Sequence, residues 1–117
     1  IDGTLHTPDH QITPATKQVI QKINHDLNVP VVLTTARPPQ GTFFIYKELE
    51  LNTPLICYNG GLILEPQNGK FVPIFSVEVP HEDLSAIFWK TNAPDINFNV
   101  YKDEMWYAQR QDALVER

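Results

Sequence analysis

The chain has 117 residues, of which 42% are hydrophobic and 20% are charged, as in an ordinary soluble globular protein with one modest core. A net charge of −5, with only 9 Lys and Arg and no basic cluster, argues against nucleic-acid binding. No apolar run approaches the roughly 18 residues that a membrane helix needs. The single cysteine, Cys57, lies in an apolar run, so we expect a buried thiol and a reducing, cytoplasmic location.

Helices and strands alternate along the first half of the chain. Thr13 is a good N-cap and Pro14 suits the first helical position, so we expect a helix over residues 14–27. Apolar runs bounded by proline or glycine predict buried strands, and a second helix is expected between them. These elements cover residues 31–35 (strand), 41–49 (helix) and 54–58 (strand). Short links between them predict right-handed crossovers and a parallel sheet.

The pattern changes after Gly61. Two apolar runs flank Asn68 and Gly69, a strong turn signal for an antiparallel hairpin. A helix is expected over residues 80–91, and a second hairpin follows, in which Asp103 and Glu104 form the turn. A change of composition near residues 76–80 divides the chain into residues 1–78 and 79–117. Three aromatic residues of the second hairpin could line a pocket, although cross-strand packing is favoured: Tyr101, Trp106 and Tyr107.

Three polar clusters follow strand ends, where ligands bind in open α/β sheets. A carboxylate can act as an acid or a base, glycine lets a phosphate approach the backbone, and hydroxyl and amide donors can hold phosphate oxygens. An arginine adds positive charge. Each cluster alone is more typical of an ordinary turn or a polar strand end. The clusters are Asp2, Gly3 and Thr4; Thr34, Thr35, Ala36 and Arg37; and Asn59, Gly60 and Gly61.

In this order and at these positions, the clusters together resemble the haloacid dehalogenase-like hydrolases, specifically the Cof-type, sugar-phosphatase-like branch. There Asp-x-Asp-Gly-Thr closes the first strand, an apolar run ending in Thr-Gly-Arg closes the second, and Asn-Gly follows a third. The resemblance implies an α/β fold in which residues 1–78 form the first part of a core with a Rossmann-like parallel sheet. Residues 79–117 would then begin an inserted α+β cap domain.

The resemblance also implies a Mg²⁺-dependent phosphatase that hydrolyses small phosphorylated metabolites, with sugar phosphates foremost, through an aspartyl-phosphate. Asp2 would be the general acid and base, and its backbone carbonyl a Mg²⁺ ligand. The remaining residues would bind the phosphate: Gly3, Thr4, Thr35, Ala36, Arg37 and Asn59. Ala36 replaces the family's usual glycine. Alanine keeps the amide donor but disfavours a positive φ.

Several of the family's groups fall outside the chain. The nucleophile is expected two residues before Asp2, and the family's later lysine and aspartates beyond Arg117, so we expect a truncated chain that is inactive alone. A phosphomannomutase-like phosphotransferase or a non-catalytic scaffold of the same fold stays open as an alternative. Two further residues, His6 and His10, are expected to be solvated, because Pro8 prevents a helix that would bring them together. The sequence determines neither the substrate nor the oligomeric state.

Overall fold

The computed structural model describes residues 1, 3–91, 93, 95–102 and 105–111. They form two compact units, Ile1–Val77 (unit 1) and Glu78–Arg117 (unit 2). The bounds of unit 1's elements are α1 Pro14–Gln21, continued by a π-helical turn Lys22–Asp26, then β1 Leu33–Thr34, α2 Phe43–Glu48, β2 Leu55–Cys57, β3 Leu62–Gln67 and β4 Lys70–Ser76. Those of unit 2 are α3 His81–Thr91, β5 Asn99–Lys102 and β6 Met105–Ala108.

Unit 1 contains a four-stranded sheet in the order β1-β2-β3-β4. The β1 and β2 strands are parallel, as the sequence predicts, and β3 and β4 extend the sheet as an antiparallel hairpin whose turn is Asn68 and Gly69. Pro73 is tolerated in β4 because this strand lies at the edge of the sheet, where its missing N–H costs no ladder bond. The α/β prediction is confirmed, and the sheet is mixed.

The core of unit 1 lies on one face of this sheet. Pairing in register places Leu33, Leu55 and Leu64 side by side across β1, β2 and β3, and all three are buried. Helix α2 covers them with Ile45 and Leu49, which share one helix face at i, i+4 spacing and are 0% exposed. The other face carries alternate residues that are half-buried or exposed. Burial of this apolar surface is what stabilises the unit.

A buried polar network lies where the chain enters β1 and β2. Asn24, in the π-helical turn, donates through Nδ2 to Oδ1 of Asn52 (3.1 Å), and its Oδ1 accepts from the Val31 N–H (3.4 Å). The Thr53 hydroxyl donates to the Val31 carbonyl, and the Tyr46 hydroxyl donates to the Thr53 carbonyl (2.7 Å). Because buried polar groups are costly unless paired, this network fixes one arrangement of the helices on the strands.

Aromatic packing joins the edge strand to α2. Phe71 of β4 stacks on Phe43 with ring centroids 4.9 Å apart, and it meets the edge of Tyr46 at the same distance. Phe43, Phe44 and Phe75 are equally apolar in the sequence, which makes all three candidates for the core, but Phe44 and Phe75 are about half exposed.

Unit 2 consists of α3 and the β5–β6 hairpin. Phe88 of α3 meets Phe98 edge to face, with ring centroids 5.5 Å apart. The favoured cross-strand packing is confirmed for Tyr101 and Trp106, which are register partners and stack at 6.0 Å, whereas Tyr107 lines a cavity together with residues of α3. The turn residues Asp103 and Glu104 lie outside the described residues. No described helix in either unit has the length and apolar character required to cross a membrane.

Candidate active site

The ends of β1 and β2 are held together by backbone hydrogen bonds beyond the last ladder pair. The Thr35 N–H donates to the Ile56 carbonyl (3.0 Å), and the Asn59 N–H donates back to the Thr35 carbonyl (2.9 Å). The Tyr58 N–H donates to the Arg37 carbonyl (3.3 Å). The second and third polar clusters therefore form one connected structure at the carboxyl edge of the parallel pair.

Thr35 is the most enclosed residue of this structure, being 9% exposed. Its hydroxyl oxygen accepts a hydrogen bond from the Arg37 N–H (3.1 Å), which closes a tight turn at the strand end. The hydroxyl hydrogen can then be donated to a phosphate oxygen. Its neighbour Thr34 is exposed on the opposite side of the strand, so only one of the two adjacent threonines is built into the turn.

The Arg37 side chain helps to shape the loop that leads into α2. Its guanidinium donates through Nη1 to the Gly41 carbonyl (3.2 Å). The same loop is fixed by Thr42, fully buried, whose hydroxyl donates to the Pro38 carbonyl (3.1 Å). Thr42 was not singled out from the sequence. Its position directly before α2 is typical of an N-cap, but its hydroxyl bonds to the loop and not to a helix N–H.

The third cluster adopts a left-handed backbone over three consecutive residues. The φ angles are +51° at Tyr58, +54° at Asn59 and +99° at Gly60. Non-glycine residues adopt this region at a cost, and such strain is concentrated at functional sites. The turn is closed by the Gly61 N–H, which donates to the Tyr58 carbonyl (3.1 Å). Asn59 is exposed at the carboxyl edge of the sheet.

The leading cluster forms a compact turn of its own. The N–H groups of Thr4, Leu5 and His6 all donate to the Ile1 carbonyl, at 3.2, 2.8 and 3.2 Å. Gly3 has φ +71°, which only glycine adopts freely. Ile1 and Leu5 pack against the core of unit 1, so this turn is anchored on the same core as β1 and β2.

Asp2, the predicted acid, base and metal ligand, lies outside the described residues. Among the described residues, no group of three or more His, Cys, Asp or Glu side chains could hold a metal ion. Mg²⁺ prefers oxygen ligands, with a carboxylate or two in its first shell. The described residues therefore include no such cluster of carboxylates.

Cys57 ends β2 directly before the strained turn, and it is fully buried. Burial raises the pKa of its thiol to about 11, so the thiolate is scarce at neutral pH. Burial also raises the pKa of Tyr46, partly offset by the hydrogen bond to the Thr53 carbonyl. The prediction of a buried thiol is confirmed. The prediction that His6 and His10 are solvated is wrong for His6, which is 9% exposed and touches the His10 ring.

Comparison with known proteins places this geometry in a family. A family model described as haloacid dehalogenase-like hydrolase matches residues 1–117. The chain belongs to the haloacid dehalogenase-like hydrolases, in their Cof-type branch. It is 34% identical over 121 aligned positions to a 5-amino-6-(5-phospho-D-ribitylamino)uracil phosphatase of Bacillus subtilis, covering 99% of the chain and 43% of that protein. It is 26% identical over 118 positions to an HMP-PP phosphatase of Cronobacter sakazakii, covering 98% and 41%.

Solved structures show the same fold. A haloacid dehalogenase-like hydrolase from B. subtilis superposes with a TM-score of 0.79 at 19% identity, over 97% of this chain and 39% of that one. The phosphatase BT1666 from Bacteroides thetaiotaomicron gives 0.75 at 20% identity, over 99% and 41%. The chain thus spans less than half the length of each of these relatives.

Proposed function

We propose that the protein containing this chain hydrolyses small phosphate monoesters, sugar phosphates foremost, and that β1 and β2 supply its phosphate-binding edge. The observation that carries the proposal is the backbone connection of Thr35, Arg37 and Asn59 at the carboxyl ends of two parallel strands. The relatives named as phosphatases support the same reaction class.

In this proposal, Thr35 donates its hydroxyl hydrogen to a phosphate oxygen, and the Ala36 amide acts beside it. Gly3 and Thr4 complete the loop around the phosphoryl group, and Asn59 faces it from the third cluster. Arg37 contributes the positive charge of its guanidinium, which a hydrogen bond to the Gly41 carbonyl holds in place. Positioned donors of this kind stabilise the charge that develops on a transferring phosphoryl group.

Asp2 is proposed to protonate the leaving oxygen and then to accept a proton from the attacking water. A Mg²⁺ ion, when bound, would neutralise charge on the phosphoryl oxygens, with the Asp2 carbonyl as one ligand. The proposed reaction proceeds through the aspartyl-phosphate that family membership implies, on a nucleophile that precedes Ile1. We further propose that unit 1 is the first part of the core domain and that unit 2 begins the cap.

The proposal is tested on the complete reading frame that contains this sequence. Phosphate release from a panel of sugar phosphates is measured with and without Mg²⁺, and release that depends on Mg²⁺ is the expected result. Replacing Asp2 by Asn should lower kcat by roughly 100-fold or more, since general acid–base catalysis is typically worth that much. Near-normal turnover of Asp2→Asn would contradict the assignment, and an isomerised phosphosugar instead of free phosphate would identify a phosphotransferase.

A further inference from the structure

His6 and His10 meet at a cavity next to the leading cluster. Their imidazole rings lie edge to face with centroids 6.4 Å apart. The cavity has a volume of about 320 Å³, at the small end of the range of ligand sites, and its lining residues are Gly3, His6, Thr7, Pro8 and His10. The sequence suggested no such contact, because a turn rather than a helix brings the two rings together.

Reciprocal hydrogen bonds between Thr7 and Gln11 close the turn that carries His10. The Thr7 N–H and hydroxyl both donate to the Gln11 carbonyl (2.9 and 3.2 Å), and the Gln11 N–H donates to the Thr7 hydroxyl oxygen (3.2 Å). The His10 N–H donates to the Thr7 carbonyl (2.9 Å), with His10 in the left-handed region at φ +57°. The backbone therefore holds His10 in the left-handed region, which is uncommon for residues other than glycine but which histidine adopts more readily than most.

The cavity shares a wall with the leading cluster. The amide of His6 is one of the three that converge on the Ile1 carbonyl, and Gly3 lies inside the same turn. A Cβ placed on Gly3 would meet no atom within 4 Å, so the backbone there is open to a ligand. Because Gly3 also lines the cavity, a phosphoryl group bound at Gly3 would place the cavity next to the substrate.

The lining has a mixed hydrogen-bonding character. A neutral imidazole carries one donor and one acceptor, and the Thr7 hydroxyl, whose hydrogen is donated to the Gln11 carbonyl, can still accept a hydrogen bond. No lysine or arginine is among the described residues that line the cavity. A second phosphate group on the substrate would need only hydrogen-bond donors or positive charge from the cavity. The hydroxyl groups of a polyol, in contrast, both donate and accept hydrogen bonds.

We propose that this cavity binds hydroxyl groups of a sugar or alditol leaving group, with His6 and His10 as residues that determine specificity. This proposal rests on the proposed phosphatase function and identifies the part of the substrate that this loop binds. A site that hydrogen-bonds hydroxyl groups discriminates against an analogue that lacks them, because the analogue cannot form those hydrogen bonds.

The test compares two five-carbon substrates in the complete reading frame, ribitol 5-phosphate and n-pentyl phosphate, which lacks the hydroxyl groups. For His10→Ala, the ratio of kcat/KM for ribitol 5-phosphate to that for n-pentyl phosphate should fall by about tenfold, as the loss of one to two hydrogen bonds predicts. His10→Gln keeps a donor and an acceptor and should restore most of the ratio. The matched control is His25→Ala, an exposed histidine of the π-helical turn, which should leave the ratio unchanged.

A second measurement needs no turnover of the polyol itself. Free ribitol should inhibit hydrolysis of n-pentyl phosphate, with an inhibition constant that rises about tenfold in His10→Ala. Equal losses of kcat/KM on both substrates in His10→Ala, or an unchanged inhibition constant for ribitol, would contradict the proposed subsite. Absence of Mg²⁺-dependent release from either substrate by the unaltered protein is a different result, and it would overturn the proposed function itself.

Discussion

The two units of the chain differ in how they are held together. All the buried residues of the described chain lie in unit 1, where Ile45, Leu49, Leu55 and Cys57 are 0% exposed. Among the described residues of unit 2 none is buried, and its α3 contacts the hairpin through half-buried rings such as Phe88 and Phe98. Unit 1 therefore has a packed core of its own that can support a precise site. Unit 2 depends on surface aromatic contacts and hairpin hydrogen bonds.

The chain contains natural reporters for this difference. Both tryptophans, Trp89 and Trp106, lie in unit 2, and the single cysteine, Cys57, lies in unit 1. Intrinsic tryptophan fluorescence therefore follows unit 2, and the reactivity of the Cys57 thiol toward an added disulfide reagent follows unit 1. The two signals can be recorded in the same urea titration.

The largest expected effect is the loss of a core side chain from unit 1. Leu55→Ala removes a side chain packed between Leu33 and Leu64 and should lower the free energy of unfolding of unit 1 by about 3 kcal/mol. Phe88→Ala in unit 2 should cost only about 1 kcal/mol, because the ring is half-buried and its loss leaves no closed cavity. Thiol exposure should shift to lower urea in Leu55→Ala. Equal decreases in the free energy of unfolding for the two variants would contradict the difference between the units.

A smaller effect should appear at alkaline pH, in unit 1 alone. In the folded unit the pKa of Cys57 is raised to about 11, whereas the unfolded chain titrates near the ordinary value of 9.0. Between these values the unfolded chain binds fewer protons than the folded unit, so the free energy of unfolding should fall as pH rises from 9 to 11. The raised pKa of Tyr46 acts in the same direction.

Unfolding followed by circular dichroism at several pH values measures this dependence. The control is Cys57→Ala, which removes the titrating thiol and should leave a shallower decline, due to Tyr46 and other groups. Parallel declines in the two proteins would show that burial of the thiol has no energetic consequence for unit 1.

The order of elements was predictable because local signals agree with the packing. The Thr13 cap, the apolar strands and the Asn68-Gly69 turn each specify their element without help from distant residues. The hydroxyl of Thr13 does accept a hydrogen bond from the Thr16 N–H (3.1 Å) at the start of α1. The family could be inferred from the joint order of three clusters that are individually ambiguous.

What the sequence did not reveal depends on contacts between elements or on unusual backbone. Phe44 and Phe43 are equally apolar in sequence, and only the packing of Phe71 determines which of them is covered. The contact of His6 with His10 depends on the turn that Thr7 and Gln11 close. No periodic pattern in the sequence predicts that turn. The left-handed turn at Tyr58 and Asn59 is held by hydrogen bonds to the Arg37 and Thr35 carbonyls, in the segment that follows β1.

We propose that the ends of β1 and β2 bind phosphate through Thr35, and three substitutions test this role in the complete reading frame. Thr35→Val removes the hydroxyl and should lower kcat/KM for a sugar phosphate by roughly 10- to 100-fold, as the loss of hydrogen bonds to a charged group predicts. Thr35→Ser keeps the hydroxyl and the turn, and should stay within about threefold of the unaltered protein. Thr34→Val makes the same change one residue earlier, on the exposed side of β1, and should have little effect.

The most direct test of phosphate binding by Thr35 is therefore kcat/KM for these three variants, with thermal unfolding of each to confirm the fold. A large loss confined to Thr35→Val, with recovery in Thr35→Ser, is the predicted result. Similar kcat/KM values for folded Thr35→Val and Thr34→Val would contradict the assignment of this strand end to phosphate binding.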